Sequence, residues 1–212
     1  MSARIWSDVS VAIQSSIGAD VTITGITKAS PAVVSTATTP NNDDYVRIVC
    51  QGMTEVNNRI FRVANVVLDT SFELKDEDST NYDTFTSGSH ATTTFGTSLG
   101  TIRNVTGSGG EYNFVDTTTI HDKISTQVPG TATALTYAME NRWEPDDSGL
   151  IALRAASIIK AERAVKMTFA DGAITVFYGY VGCTLVPTGS AQDLVSTPVT
   201  FTASGLPTNY TS

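Results

Sequence analysis

The sequence is poor in charge. Of its 212 residues only 16% are Asp, Glu, Lys or Arg, against the quarter usual in soluble domains. Ser, Thr, Asn and Gly stand in their place, giving a hydrated but weakly charged surface that suits extended contact with neighbouring protein. Basic residues are scarcer than acidic ones, 13 against 21, for a formal net charge of −8. Both halves share the imbalance, with 6 basic against 11 acidic in residues 1–100 and 7 against 10 in residues 101–212. There is no basic tail or patch to neutralise phosphates, which argues against tight nucleic-acid binding. Cysteine and histidine are nearly absent, at two each. Cys50 and Cys183 lie far apart in apolar, strand-like runs and read as buried free thiols. His90 and His121 join neither of them in a local metal-ligand spacing. No apolar run approaches the roughly 18 residues a membrane span needs. The opening, Met1 to Asp8, turns polar before any apolar core forms, so we expect no secretory signal, no membrane anchor and synthesis in a cytoplasm.

The residue sets of catalysis are equally thin. No serine sits in a Gly-x-Ser-x-Gly elbow, and the only bases for a nucleophile would be His90 and His121, both in Thr/Ser-rich stretches. The acidic clusters Asp43-Asp44, Asp76-Glu77-Asp78 and Asp146-Asp147 fall at turns or a helix start, where carboxylates serve local structure. Asp76 to Ser79 loosely matches the start of a calcium loop but lacks its glycine and terminal glutamate. The expectation is no catalytic residue, no metal and no cofactor.

What the sequence does contain is strand grammar: β-branched alternation broken by Gly, Pro, Asn and Asp. Runs of this kind are Val9–Gln14, Val21–Ile26, Ala32–Ala37, Tyr45–Cys50, Arg59–Val63, Ser71–Leu74, Val115–Ile120, Thr133–Trp143 and Val195–Ala203. With 41% hydrophobic residues the chain can bury a real core. After Gly88 the sequence turns polar and Gly-rich, and Thr106-Gly107-Ser108-Gly109-Gly110 reads as a mobile loop. One helix is expected at about 147–160. Pro145-Asp146-Asp147-Ser148 would cap it, Leu150, Ile151, Leu153, Ala155, Ile158 and Ile159 would face a sheet, and Lys160 would sit in its last turn. Next, Ala164–Ala170 and Ala173–Val181 flank Asp171-Gly172, the signature of a two-residue hairpin with positive φ at both turn residues. That turn pairs Phe169 with Ile174, Met167 with Val176 and Val165 with Tyr178 on one buried face. Lys166, Thr168 and Thr175 then lie on the more polar face. Trp6, near a polar terminus, suggests docking on a neighbouring subunit, and Trp143 suits core packing or such an anchor equally.

Three stretches together resemble the major tail tube protein of long-tailed, non-contractile bacteriophages. The first is Arg4-Ile5-Trp6 through Val9–Gln14, with Ile23-Thr24-Gly25-Ile26-Thr27-Lys28-Ala29-Ser30-Pro31. The second is Val56–Val66 with Phe72-Glu73-Leu74 and Asp78-Ser79-Thr80, which looks like a small β module recurring in phage tail proteins. The third is Val128-Pro129-Gly130, the helix, and the hairpin Lys166–Val181 with its Phe-x-Asp-Gly turn. The resemblance implies a mainly β fold: an antiparallel β-sandwich or half-barrel with one flanking α-helix, closing into a ring by sheet pairing between subunits. The implied organisation is an N-terminal arm and first strand (1–18), an inserted small β module (19–88) and a tube-forming core (89–212). It further implies six copies per ring, rings stacked into a hollow tube that passes DNA without holding it, and tip or initiator, tape-measure and terminator proteins as partners. On this reading Lys166, Thr168, Thr175 and Trp6 are lumen or subunit-interface residues, and Thr106, Gly109 and Glu111 form ring-to-ring contacts. The rival reading is a tail-tip or capsid-decoration adhesin, which would form a monomer or trimer and carry an aromatic-lined groove for a glycan or receptor.

Overall fold

The computed structural model describes residues 6–211, so Met1 to Ile5 of the expected N-terminal arm lie outside the described residues. The first strands are β1 (Ser10–Ile17), β2 (Val21–Ile26), β3 (Val33–Thr36), β4 (Tyr45–Gln51), β5 (Arg59–Val67), β6 (Ser71–Leu74) and β7 (Ser87–Ser98). There follow β8 (Ile102–Ser108), β9 (Tyr112–Asp116), β10 (Gln127–Ala132), β11 (Thr136–Arg142) and one helix, α1 (Ser148–Ile158). The chain ends with β12 (Glu162–Thr168), β13 (Ile174–Cys183), β14 (Ser196–Ala203) and β15 (Thr208–Tyr210). The fold is mainly β, antiparallel, with one flanking helix, as the sequence leads one to expect.

Thirteen strands share one continuous sheet, in the order β2-β3-β6-β5-β4-β7-β1-β12-β13-β14-β11-β8, with β15 added beside β13. A further pairing of β2 with β7 closes the first six of these strands into a small barrel. Its interior is apolar: Val34, Val46, Ile48, Phe61, Val63 and Phe72 are fully buried there. Strand β7 belongs to both halves. Ser87–Thr93 pairs with β4, while Thr93–Ser98 pairs with β1. This strand, the longest of the set, occupies the stretch that reads as polar and Gly-rich in the sequence. It is held by pairing on both sides, without the apolar alternation that marks the other strands.

The rest of the sheet curls over a second core, in which Ile13, Val165, Phe177, Val199 and Phe201 are covered by Leu150, Leu153 and Ala156 of α1. Tyr137 stacks on Phe177 at 4.3 Å between ring centroids. Asp147 caps the helix as expected, its side chain accepting from the Leu150 N–H at 2.7 Å. Two details differ. Ile151, Ile158 and Ile159 point to solvent, because the buried face is set by the 150-153-156 spacing. Lys160 lies beyond the last turn with φ +53°, ending the helix in a left-handed residue.

The β12–β13 hairpin also corrects the expected register. Val165 faces Phe177, Lys166 faces Val176 and Thr168 faces Ile174, one residue off the expected pairing. In the turn, the Gly172 N–H donates to the Phe169 carbonyl and the Phe169 N–H to the Ala173 carbonyl. Of the turn pair only Gly172 takes positive φ, +84°. That is a type I turn plus a bulge, a three-residue loop, not the two-residue turn with two left-handed residues. The apolar pattern could not flag the error, because both faces of the hairpin are buried. Val165, Met167 and Phe177 enter the core under α1. Ala164, Val176 and Tyr178 enter a third cluster, with Ile60 and Tyr210, wedged between sheet and barrel.

Polar contacts complete that junction. Arg59 and Glu77 form a buried, two-pronged ion pair (2.5 and 3.1 Å), and the same guanidinium reaches Thr208 on β15 at 3.4 Å. Tyr82 donates to Glu77 at 2.7 Å. The Arg47 guanidinium donates to the Tyr178 hydroxyl at 3.1 Å, and the Arg62 N–H to the Tyr210 hydroxyl at 2.7 Å. Removing one partner of a buried pair strands the other charge, at about 3–5 kcal/mol. Glu77→Ala should therefore lower unfolding stability in urea by about that much, and Arg59→Met with Glu77→Leu should recover part of the loss. On the helix, Leu153→Ala should cost about 2–5 kcal/mol, while Ile158→Ala should stay within about 0.5 kcal/mol in the same assay. Equal losses would mean the helix buries a different face.

Candidate functional site

Among the described residues, one long strand of the continuous sheet has an unpaired edge. Strand β8 pairs with β11 on one side, from Ser108 opposite Thr136 to Ile102 opposite Asn141, and is the end of the sheet on the other. The opposite end has no such edge, since it is consumed in the barrel closure. Ile102 and Val105 tuck inward against the core, whereas Arg103, Asn104 and Thr106 face solvent. An edge of this kind presents a row of free backbone donors and acceptors, ready for a strand of another chain.

Beyond β8 the chain leaves the body of the molecule. Gly109 (φ +92°) and Gly110 (φ +83°) form a hinge that only glycine accepts readily. After it, β9 and β10 pair only with each other, as a separate two-stranded ribbon. Every residue of both strands is exposed. Yet the arm carries Tyr112, Phe114, Val115 and Val128 along its length and Ile120 and Ile124 in its end loop, with Ile120 96% exposed. An isolated two-stranded hairpin is marginal in water, and this much apolar surface without a core marks a contact surface. Pro129 within β10 is tolerated because that strand is an edge.

The expected site residues are dispersed. Thr106 belongs to β8, opposite Ala138, and not to a mobile loop. Gly109 is in the hinge, and Glu111 stands at the arm's base, its carbonyl accepting from the Thr133 N–H at 2.9 Å. Val115 and Asp116 are in β9, but Thr117 to Ile120 form the end loop instead of extending the strand. Trp6 is 62% exposed and leans on Phe169 at 5.4 Å between ring centroids. It borders a groove of about 320 Å³ with Val9, Val11, Leu99, Ile102 and Val105. Lys166 and Thr168 share the hairpin face that turns to the barrel. The Lys166 ammonium lies 5.0 Å from the Tyr45 ring centroid and 5.2 Å from that of Phe95. Burial, and then the positive charge of Arg62, push its pKa down. Thr175 lies on the other face, opposite Met167, and donates to Asn209 at 2.8 Å.

The acidic clusters are occupied by local structure. Asp43 pairs with Arg62 at 2.7 Å, Asp44 accepts from the Asn41 N–H at 2.9 Å, and Asp78 accepts from the Thr80 N–H at 3.0 Å. Asp122 accepts from Thr119, so His121 and Asp122 do not form a dyad. Both thiols are buried and unpaired, and burial pushes Cys50 up to about 11, far from a reactive thiolate. Among the described residues no three His, Cys, Asp or Glu side chains gather as a metal site, and no helix is long and apolar enough to cross a membrane. An open cavity of about 600 Å³ is lined by Arg103, Glu140 and the polar loop Thr188–Ser196, with no aromatic ring. The arm and the open edge were missed in the sequence. The signals that could have found them are the Gly109-Gly110 hinge and a Tyr-x-Phe-Val strand facing one that contains proline.

A family model for phage tail tube protein, TTP, matches residues 51–212, from the last residue of β4 through β15 with the arm and α1, while β1, β2 and β3 precede the matched residues. No curated protein matches the chain. An open-edged sheet, a projecting apolar arm and carboxylates spent on local structure agree with that match: the chain belongs to the phage tail tube protein family, a structural, non-enzymatic component of the virion tail.

Proposed function

We propose that this chain is the repeating subunit of a hollow tail tube. Six copies close into a ring, rings stack, and genomic DNA passes through the lumen into the host. The observation that carries this reading is the open edge of β8 beside the exposed arm. A ring is built from head-to-tail contacts, so the free edge of β8 completes its hydrogen bonding on a different surface of the next copy, and the closed ring leaves no open-ended lateral sheet. Trp6 and its groove, next to β8, would meet the neighbour in the same ring, together with Thr168 and Thr175 at the hairpin. Lys166 contributes through the barrel face it supports. Thr106, Gly109 and Glu111 at the root of the arm, and the arm itself, would reach the adjacent ring.

The charge balance supports a conduit. At −8 per copy, six copies confront DNA with acidic protein, and any share of that charge facing the lumen keeps the duplex from adhering. The working partners are other copies of the chain and the tail proteins that start, measure and end the tube. Synthesis in the host bacterial cytoplasm precedes incorporation in the virion.

Negative-stain electron microscopy of the purified protein over a concentration series tests this directly. We expect hollow tubes with six-fold end views and a lumen that admits duplex DNA. A variant in which residues 112–132 are replaced by a short Gly-Ser link should remain folded but yield no tubes. A full-length protein that stays monomeric or trimeric even when seeded with tail tips would overturn the reading and favour an adhesin, which glycan binding would then reveal.

A further inference from the structure

The barrel is closed by a short seam. Strand β2 meets β7 over three residue pairs, Val21 with His90, Thr22 with Ser89 and Ile23 with Gly88, whereas β4 meets β7 over seven. His90 stands at that seam, between Val21 on one side and Ile48 on the other. Its side chain points into the barrel and is 2% exposed. The ring sits edge-on to Phe72 at 5.2 Å. Nε2 is 3.2 Å from the Thr38 carbonyl and 3.4 Å from the Thr36 hydroxyl. A carbonyl can only accept, so the neutral ring carries its proton on Nε2. Nδ1 is then a bare acceptor, and among the described residues it has no hydrogen-bond partner.

The surroundings leave little to stabilise a cation. From the β1–β2 turn comes Asp20, but its carboxylate is already paired with Arg47 at 2.8 Å. From β4 come Ile48 and Cys50, whose thiol burial holds protonated and which donates to the Met53 carbonyl. From β3 and the loop after it come only the hydroxyl of Thr36 and the carbonyl of Thr38, and from β6 only Phe72. A second proton would sit on Nδ1 with no acceptor, in an apolar barrel.

We propose that His90 makes the barrel seam acid-labile: its protonation opens β2 from β7 while the remainder of the sheet stays paired. Burial, the largest cause, holds the closed-state pKa below the ordinary 6.5, against smaller opposing effects of the Thr38 hydrogen bond and Asp20. The open seam therefore binds the proton more readily than the closed one. Seam stability is complete above about pH 6.5 and falls as pH drops through that value towards the closed-state pKa. Within that window the opening equilibrium rises about tenfold per unit of pH.

Hydrogen exchange of the full chain, expressed as protection factors at roughly pH 7.5 and roughly pH 5.5, reads this out. Protection at Val21–Ile23 and Gly88–His90 should fall by up to about tenfold at the lower pH, while β12 and β13 keep theirs. In His90→Gln the pH dependence at the seam should vanish. An unchanged seam in the native protein, or the same loss in His90→Gln, would overturn the proposal. Should that variant fail to fold, the imidazole nitrogen shifts of the native protein decide. His90 should stay neutral and Nε2-protonated through pH 6.5, and titration at or above that value with the barrel closed would contradict it.

Discussion

Backbone pairing is the constraint on which this structure depends. Each strand presents donors and acceptors on two sides, and a buried one left unmet costs about as much as a lost hydrogen bond. Strand β7 meets the constraint twice over, lending its first half to the barrel and its second to β1. Barrel and curved sheet are thus one hydrogen-bonded fabric rather than two bodies tied by a linker. The third apolar cluster and the Arg59–Glu77 pair then fill the angle between them. The same constraint remains unmet along the outer side of β8, and there the molecule points beyond itself.

Much of the fold was legible because half-buried strands write their faces into the sequence. Val21–Ile26 and Ser71–Leu74 alternate cleanly and form β2 and β6 with the expected bounds. Asp147 announced the helix start because a capping carboxylate acts through local hydrogen bonds. What failed depended on partners distant in sequence. Ser87–Ser98 carries the strand-favouring Thr92, Thr93, Thr94 and Phe95 but no apolar alternation, and it is ordered by neighbours on both sides. The β12–β13 register slipped because both faces are apolar, so alternation held no information about which side was in. Ile151 and Ile158 fit a helical stripe as well as Leu153 does, and only the position of the sheet decides between them.

The surfaces proposed for assembly were the hardest to see. Residues such as Phe114, Val115 and Val128 obey the pattern of a core strand, yet there is no core beneath them. Their burial, on the proposed reading, lies in another molecule and is invisible to any rule that balances one chain. The same holds for β8, whose sequence Ile-Arg-Asn-Val-Thr-Gly-Ser says nothing of how many neighbours it has. Lys166 shows the reverse case. A cation in a strand reads as an outward-facing residue, but two aromatic rings across the barrel junction hold it within the subunit.

The central claim is that a second copy of the chain completes the sheet at β8. Amide exchange across Ile102–Ser108, compared between dispersed and assembled protein, tests it most directly. The account predicts that the outward-pointing amides of β8 exchange freely in the dispersed chain and become strongly protected on assembly, alongside unchanged protection in β13. Assembly that leaves those amides exchanging at the dispersed rate would show that the ring closes through some other surface.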